Sequence, residues 1–239
     1  MGKSGMGKTV LVTGGTRGIG LAIAQNLAAA DYQPIAIARK PSADPGTIPF
    51  VPFDLNDTAG IPGLVKRIRQ EFGPIYGLIN NAGISYEGVL SLLADDKIEQ
   101  LIRVNTTAPV LMSKYAVHAM LASGVGGRIV NVASIAASNG FRGLSVYGAT
   151  KASLIGFTKS LARDVGPAAI TVNAVAPGFV PTDLTAEMTG EQRAKIAHRS
   201  ALRRLADAHD VANATEFLLS DRAKNITGTV ITVDAGNTA

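Results

Sequence analysis

Seven short apolar runs, separated by helical repeats, constrain this chain more than any other feature. The runs are Lys8–Thr13, Gln33–Ala38, Pro49–Phe53, Ile75–Asn80, Gly127–Ala133, Ala169–Val175 and Thr229–Val233. Several are continuous, as in Val10-Leu11-Val12 and Ile129-Val130-Asn131-Val132. A strand with one wet face alternates, whereas a continuous apolar run suits a strand buried on both faces. Between the runs, Ile19, Ile23 and Leu27 recur every four residues, as one helix face requires. Further helices are expected over Ile61–Phe72, Asp95–Leu121, Ser145–Val165 and Asp207–Leu219. Strand and helix repeated in this order predict an α/β fold, a doubly wound parallel sheet with helices on both faces.

No low-complexity linker or internal repeat divides the 239 residues, so one domain over 1–239 is expected, with residues 1–7 as a flexible leader. The stretch Pro177–Ala201 breaks the rhythm. A long irregular insert in such a domain is expected to be a substrate lid.

Composition removes several function classes. Without cysteine there is no disulfide scaffold, zinc-thiolate site or cysteine nucleophile. The three histidines, His118, His198 and His209, lack metal-ligand spacing, so no metal is expected. Tryptophan is absent and aromatics are 5%, few for a base-stacking platform. The net charge of +5 is scattered, with short runs at Arg39-Lys40, Lys66–Arg69 and Arg203-Arg204. A small anionic ligand fits this better than nucleic acid. No apolar stretch of about 18 residues and no signal-peptide core occur, so no membrane association and a cytoplasmic location are expected.

Two glycine motifs compete. Gly2 to Thr9 matches the phosphate-loop pattern GxxxxGK[ST], but that loop needs a strand before it and a helix after it. Here Val10-Leu11-Val12, a strand, follows, and the motif is rejected. Thr13-Gly14-Gly15-Thr16-Arg17-Gly18-Ile19-Gly20 has the right context, between the first strand and the first helix. Glycines there let the backbone approach a pyrophosphate, and the amides of the helix start face it. The residues expected to touch a dinucleotide are Gly14, Thr16, Arg17, Gly18, Ile19 and Gly20. An NAD site places an acid at the end of the second strand, about 20 residues on. This chain has Arg39-Lys40 there, with no acid before Asp44. Arg39, with Arg17, suits a ribose 2′-phosphate, which points to NADP(H).

Tyr147 and Lys151 are four apart on an expected helix and share a face. An ammonium beside a phenol is expected to depress the tyrosine pKa, making it a general acid near neutral pH. Ser134 ends the apolar strand before it, at the sheet edge where ligands bind. A carbonyl receiving hydride at carbon needs a proton at oxygen; Tyr147 would donate it and Ser134 would hydrogen-bond the same oxygen. The plainer readings are a packed tyrosine beside a surface lysine and a serine that caps a loop.

Together, Thr13–Gly20, Asn80-Asn81-Ala82-Gly83, Asn105, Ser134, Tyr147-Gly148-Ala149-Thr150-Lys151 and Pro177-Gly178 resemble the short-chain dehydrogenases/reductases, in that family's order and spacing across nearly the whole chain. The resemblance implies a seven-stranded Rossmann sheet and an assembly of dimers or tetramers, here a homotetramer. It implies that Lys151 and Tyr147 also contact the cofactor, and that Asn105 anchors a water relaying protons through Lys151, unless it is a structural, helix-breaking polar group. It places Asp54 and Leu55 against the adenine, unless Asp54 caps the next helix. It sets Asn81, Ala82 and Gly83 beside the adenosine ribose, and Pro177, Gly178, Val180 and Thr182 near the nicotinamide. Within the family the chain looks most like the 3-oxoacyl-[acyl-carrier-protein] reductases, on Ala176–Val180, Thr182-Asp183 and Ile226-Thr227-Gly228. Acyl carrier protein is then a candidate partner. Free small ketones, sugars or other alcohols are the alternative substrates, and a non-catalytic NADP-binding regulator is the alternative outside enzymes. Carrier-specific relatives often hold a cation just before the fifth and sixth strands. Ser123–Gly126 and Pro167–Ala169 hold none, so weaker dependence on the carrier is expected; Arg142, Arg199, Arg203 and Arg204 are the candidate substitutes.

Overall fold

The computed structural model describes residues 7–43, 46–181 and 189–239. Seven strands form one parallel sheet: β1 (Thr9–Thr13), β2 (Gln33–Ala38), β3 (Phe50–Pro52), β4 (Ile75–Asn80), β5 (Gly127–Val132), β6 (Ile170–Pro177) and β7 (Val230–Val233). Their order is β3-β2-β1-β4-β5-β6-β7. The chain therefore runs outward from β1 to β3, then returns to β1's other side to begin β4. Such a reversal opens a crevice at the C-terminal ends of the two central strands. The fold is the doubly wound α/β sheet that the alternation of runs predicts.

Burial on both faces explains the continuous apolar runs. In β1, Leu11 joins one core layer while Val10 and Val12 join the other. β5 divides the same way, with Ile129 on the first face and Val130 and Val132 on the second. The first layer is closed by α2 (Ile61–Phe72), α4 (Ala108–Ser123) and α5 (Ser145–Val165), the second by α1 (Gly18–Ala29) and α7 (Ala208–Leu219). Ile23 and Leu27 of α1 are fully buried, as the four-residue repeat requires.

Two expectations are corrected. The helical stretch expected over Asp95–Leu121 is not one uniform helix. It comprises α3 (Asp95–Ile102), a π-helical turn (Arg103–Thr107) and α4, because the side chain of Asn105 is drawn into tertiary hydrogen bonds. The 177–201 insert is not irregular throughout. It contains α6 (Gly190–Arg199), started by a capping box in which Thr189 accepts from the Gln192 amide and Gln192 accepts from the Thr189 amide.

The opposite, N-terminal edge of the sheet is closed by side chains. Tyr76 donates to the Leu219 carbonyl at 3.0 Å, and the Arg128 guanidinium lies 5.6 Å from the Tyr76 ring and 3.5 Å from Asp221. Arg128 is buried in this structural role. Among the described residues, no helix is long and apolar enough to cross a membrane and no cluster could hold a metal ion. The rejected Gly2–Thr9 motif lies mostly outside the described residues, and its last residue, Thr9, opens a strand.

Candidate active site

The crevice between β1 and β4 is built by one side chain. Thr13, the last residue of β1, donates its hydroxyl to the Ile79 carbonyl at 3.1 Å and accepts from the Asn81 and Ala82 amides at 3.0 and 3.1 Å. Asn81 returns a bond from Nδ2 to the Thr13 carbonyl at 2.9 Å. The loop Asn81–Gly83 is thereby locked onto the glycine turn. No motif of the sequence singles out Thr13 itself; the readable signal is a polar residue ending an apolar strand.

Gly14 turns the chain with φ +66°, and its amide donates to the Ile37 carbonyl at 2.7 Å. Gly20 is buried, and a Cβ there would lie 2.1 Å from the Gly14 carbonyl oxygen, so only glycine permits this closeness of helix and turn. α1 opens after Arg17 with no side-chain cap and no acid in its first turn. Its leading amides thus keep their capacity to bind an anion. Thr16 and Ile19 are half-buried and Gly18 is exposed along this turn. Arg17 lies on its exposed rim, and Arg39 is exposed immediately after β2. Among the described residues, this turn with two nearby arginines is a cradle of the right charge for a dinucleotide bearing an extra phosphate, and the residues fit NADP(H).

The remaining expected contacts are distributed around the same edge. Leu55 is buried, and Asp54 is exposed with its carboxylate accepting the Asn56 amide at 2.9 Å. Asp54 does not cap the following helical turn; Asp57 does, accepting from the Gly60 amide at 3.0 Å. Pro177 ends β6, Gly178 follows it and Val180 is buried. Thr182 lies outside the described residues.

Around the far end of the crevice, three side chains converge. Ser134 follows β5 and accepts from the Ala136 amide at 3.1 Å, so the loop-capping reading is correct as far as it goes. That bond uses a lone pair and leaves the hydroxyl proton to donate. Tyr147 and Lys151 project from α5, with the ammonium 5.8 Å from the phenol ring centre. Lys151 is 4% exposed and donates to the Val132 carbonyl at 2.9 Å. Its pKa is pushed down to about 8 by burial. The expectation that Lys151 would depress the Tyr147 pKa is corrected: burial pushes the phenol up, and a hydrogen bond with the Ser134 side chain opposes this. Spacing places the pair on one helix face but does not reveal how far the phenol is desolvated.

Asn105 is fully buried. Its Oδ1 accepts from the Ile84 amide at 2.9 Å, and its Nδ2 donates to the Ile84 carbonyl at 2.8 Å and to Thr150 Oγ1 at 3.2 Å. These bonds use both hydrogens of the side-chain amide and one lone pair of its oxygen, and they tie the π-turn to Ile84 and Thr150. Gly83 sits between the groups: a Cβ there would lie 3.3 Å from Lys151 Nζ and 3.4 Å from Asn105 Oδ1. An edge-to-face contact of 5.7 Å between Phe141 and Phe179 joins the loops after β5 and β6. No local sequence signal marks that pair, because its members meet only through the sheet.

Comparison with known proteins gives a consistent set of relatives. The family described as enoyl-(acyl carrier protein) reductase matches residues 14–238. The chain is 39% identical over 237 residues to 3-oxoacyl-[acyl-carrier-protein] reductase FabG of Escherichia coli (strain K12), across 96% of this chain and 97% of the relative. Ligand-free aldohexose dehydrogenase from Thermoplasma acidophilum superposes with a TM-score of 0.92 at 30% identity, over 97% of this chain and 94% of that one. A short-chain dehydrogenase from Burkholderia cenocepacia in complex with NADP gives 0.89 at 35% identity, over 98% and 99%.

Proposed function

The chain belongs to the short-chain dehydrogenase/reductase family and is an NADP-dependent oxidoreductase acting on CH–OH/C=O groups, and we propose that its substrate is a 3-oxoacyl thioester, reduced to the 3-hydroxyacyl product. The observation that carries the reductase chemistry is the convergence of Ser134, Tyr147 and Lys151 beside the glycine turn. Near-full-length similarity to a 3-oxoacyl-[acyl-carrier-protein] reductase supports the substrate class.

NADPH supplies the hydride. The glycine turn and the α1 amides would hold its phosphates, with Arg17 and Arg39 at the 2′-phosphate, and Tyr147, Lys151 and the loop Pro177–Val180 at the nicotinamide end. Ser134 donates a hydrogen bond to the substrate carbonyl oxygen and holds it against the Tyr147 hydroxyl. Tyr147 releases its proton to that oxygen as negative charge develops there. Burial keeps the proton on Tyr147 at neutral pH but weakens the phenol as an acid, and the Ser134 hydrogen bond opposes that weakening. Lys151, still largely cationic at neutral pH, stabilises the phenolate that remains. Proton return would pass through Lys151 and a water anchored by Asn105.

The carrier partner of this reading is acyl carrier protein. Arg142, Arg199, Arg203 and Arg204 are exposed and available to an acidic surface. A homotetramer and a cytoplasmic location accompany the same reading. The rival is a reductase of free ketones or sugars, favoured by the fold likeness to an aldohexose dehydrogenase and by the missing cations at Ser123–Gly126 and Pro167–Ala169. NADPH oxidation with acetoacetyl groups on carrier protein, on coenzyme A and on a minimal thioester, beside a ketone and sugar panel, separates the two. Turnover of all three thioesters is expected, with a modest advantage for the carrier that shrinks with salt. Reduction of free ketones or sugars alone would overturn the thioester reading.

A further inference from the structure

The C-terminal turn touches both ends of the 177–201 insert. At the entrance, the Gly178 amide donates to the Val233 carbonyl at 2.9 Å. A Cβ on Gly178 would lie 2.6 Å from Asp234 Cβ, so the loop after β6 rests directly on Asp234. At the exit, the Ala201 and Leu202 amides donate to the Gly236 and Ala235 carbonyls at 3.2 and 3.0 Å, and Asn237 Nδ2 donates to Ser200 Oγ at 3.4 Å.

This turn is held by one buried carboxylate. Asp234 is 8% exposed. Its Oδ1 accepts from the Gly236 amide at 2.9 Å, and its Oδ2 accepts from the Thr238 amide at 2.9 Å and hydroxyl at 2.7 Å. The bonds compensate for two consecutive left-handed residues, Ala235 at φ +57° and Gly236 at φ +75°. An alanine in that region is strained, and it persists only where its surroundings impose it.

We propose that Asp234 is a positioning residue for cofactor binding: by fixing one turn, it sets both the loop that begins at Gly178 and the backbone at Ser200–Leu202. It touches neither cofactor nor substrate and acts through Gly178. The proposal rests on the NADP-dependent reading of the site.

The test is Asp234→Asn, which keeps the size but puts a donor where N–H and O–H groups need an acceptor. Hydrogen–deuterium exchange in the ligand-free chain is expected to show the Gly178, Ala201 and Leu202 amides accelerated together, by about tenfold. The NADPH dissociation constant, followed by nucleotide fluorescence without substrate, is expected to rise about three- to tenfold. Thr238→Val, which removes a single bond to Oδ2, should move both readouts the same way by less, and it serves if the asparagine variant does not fold. Tyr76→Phe at the opposite sheet edge controls for general destabilisation; it should lower the melting temperature and leave both readouts unchanged. Unchanged exchange at Gly178 and Leu202 in the Asp234 and Thr238 variants, or equal effects from Tyr76→Phe, would overturn the proposal. A parent chain that binds no NADPH would instead overturn the functional reading, and exchange would still decide whether Asp234 joins the two ends.

Discussion

Lys151 is tied to Val132 by a 2.9 Å hydrogen bond from its ammonium to the main-chain carbonyl, two residues before Ser134. The strand that delivers the serine therefore also aims the lysine. Burial lowers the Lys151 pKa from 10.5 to about 8. Between those values the unfolded chain holds the proton that the folded chain has released, so stability rises with pH across the window. Above about pH 10 the trend reverses, because the unfolded Tyr147 phenol ionises while the buried one resists. Urea unfolding near pH 7 and near pH 9.5 should show this gain, at most about 3 kcal/mol, and Lys151→Met should remove it. A variant with the parent's pH dependence would contradict the burial argument.

Tyr147→Phe keeps the ring and deletes the proton. Turnover should fall by about two to four decades, while NADPH still binds. Steady-state reduction and fluorescence titration on the same preparation check this, and retained turnover would remove Tyr147 from the proton-donor role.

The cofactor preference is expected to rest on Arg39 with Arg17. Arg39→Asp removes a charge-assisted contact to the 2′-phosphate and places a ribose-reading acid there. The ratio of kcat/KM for NADPH over NADH should drop by about one to two decades or invert. Comparable efficiency with the two cofactors before mutation would refute the assignment.

Thr13→Val is nearly isosteric but leaves the Asn81 and Ala82 amides without their acceptor. A loss of about 1 kcal/mol is expected for each of these partly buried amides left unpaired, read from the denaturation midpoint. NADPH affinity should fall as well, since those amides set the loop beside the glycine turn. A stable variant with weakened binding alone would mean that Thr13 orients the loop without supporting the fold.

Much of this architecture is legible locally. Gln33–Ala38 and Ile75–Asn80 are bounded as their apolar runs suggest, and so are the helices Ile61–Phe72 and Ser145–Val165. These segments obey one period from end to end and are closed by glycine or polar residues. The helix Gly190–Arg199 is not legible from periodicity because none of its residues is buried, which erases the apolar stripe. Its capping box, Thr189 followed by Gln192, was the readable trace.

The site is legible in part for the same reason. Tyr147 and Lys151 are neighbours on one helix, so spacing brings them together. The Tyr147 environment, the Asn105 bonds to Ile84 and the contacts of the Asp234 turn with Gly178, Ala201 and Leu202 arise between segments remote in sequence. Residue type announces that such groups are polar, but only the folded chain decides which partner they meet.

The π-turn at Arg103–Thr107 also fixes the angular phase of everything after it. An α-helix advances about 100° per residue, so the extra residue that the π-turn takes up would, in plain α geometry, rotate α4 by about that angle relative to α3. Ala108, Met112 and Ala116, now fully buried, would swing off the sheet. A further residue inserted in this turn should thus be far less tolerated than a substitution, making it a point where chain length, rather than side-chain chemistry, is under constraint.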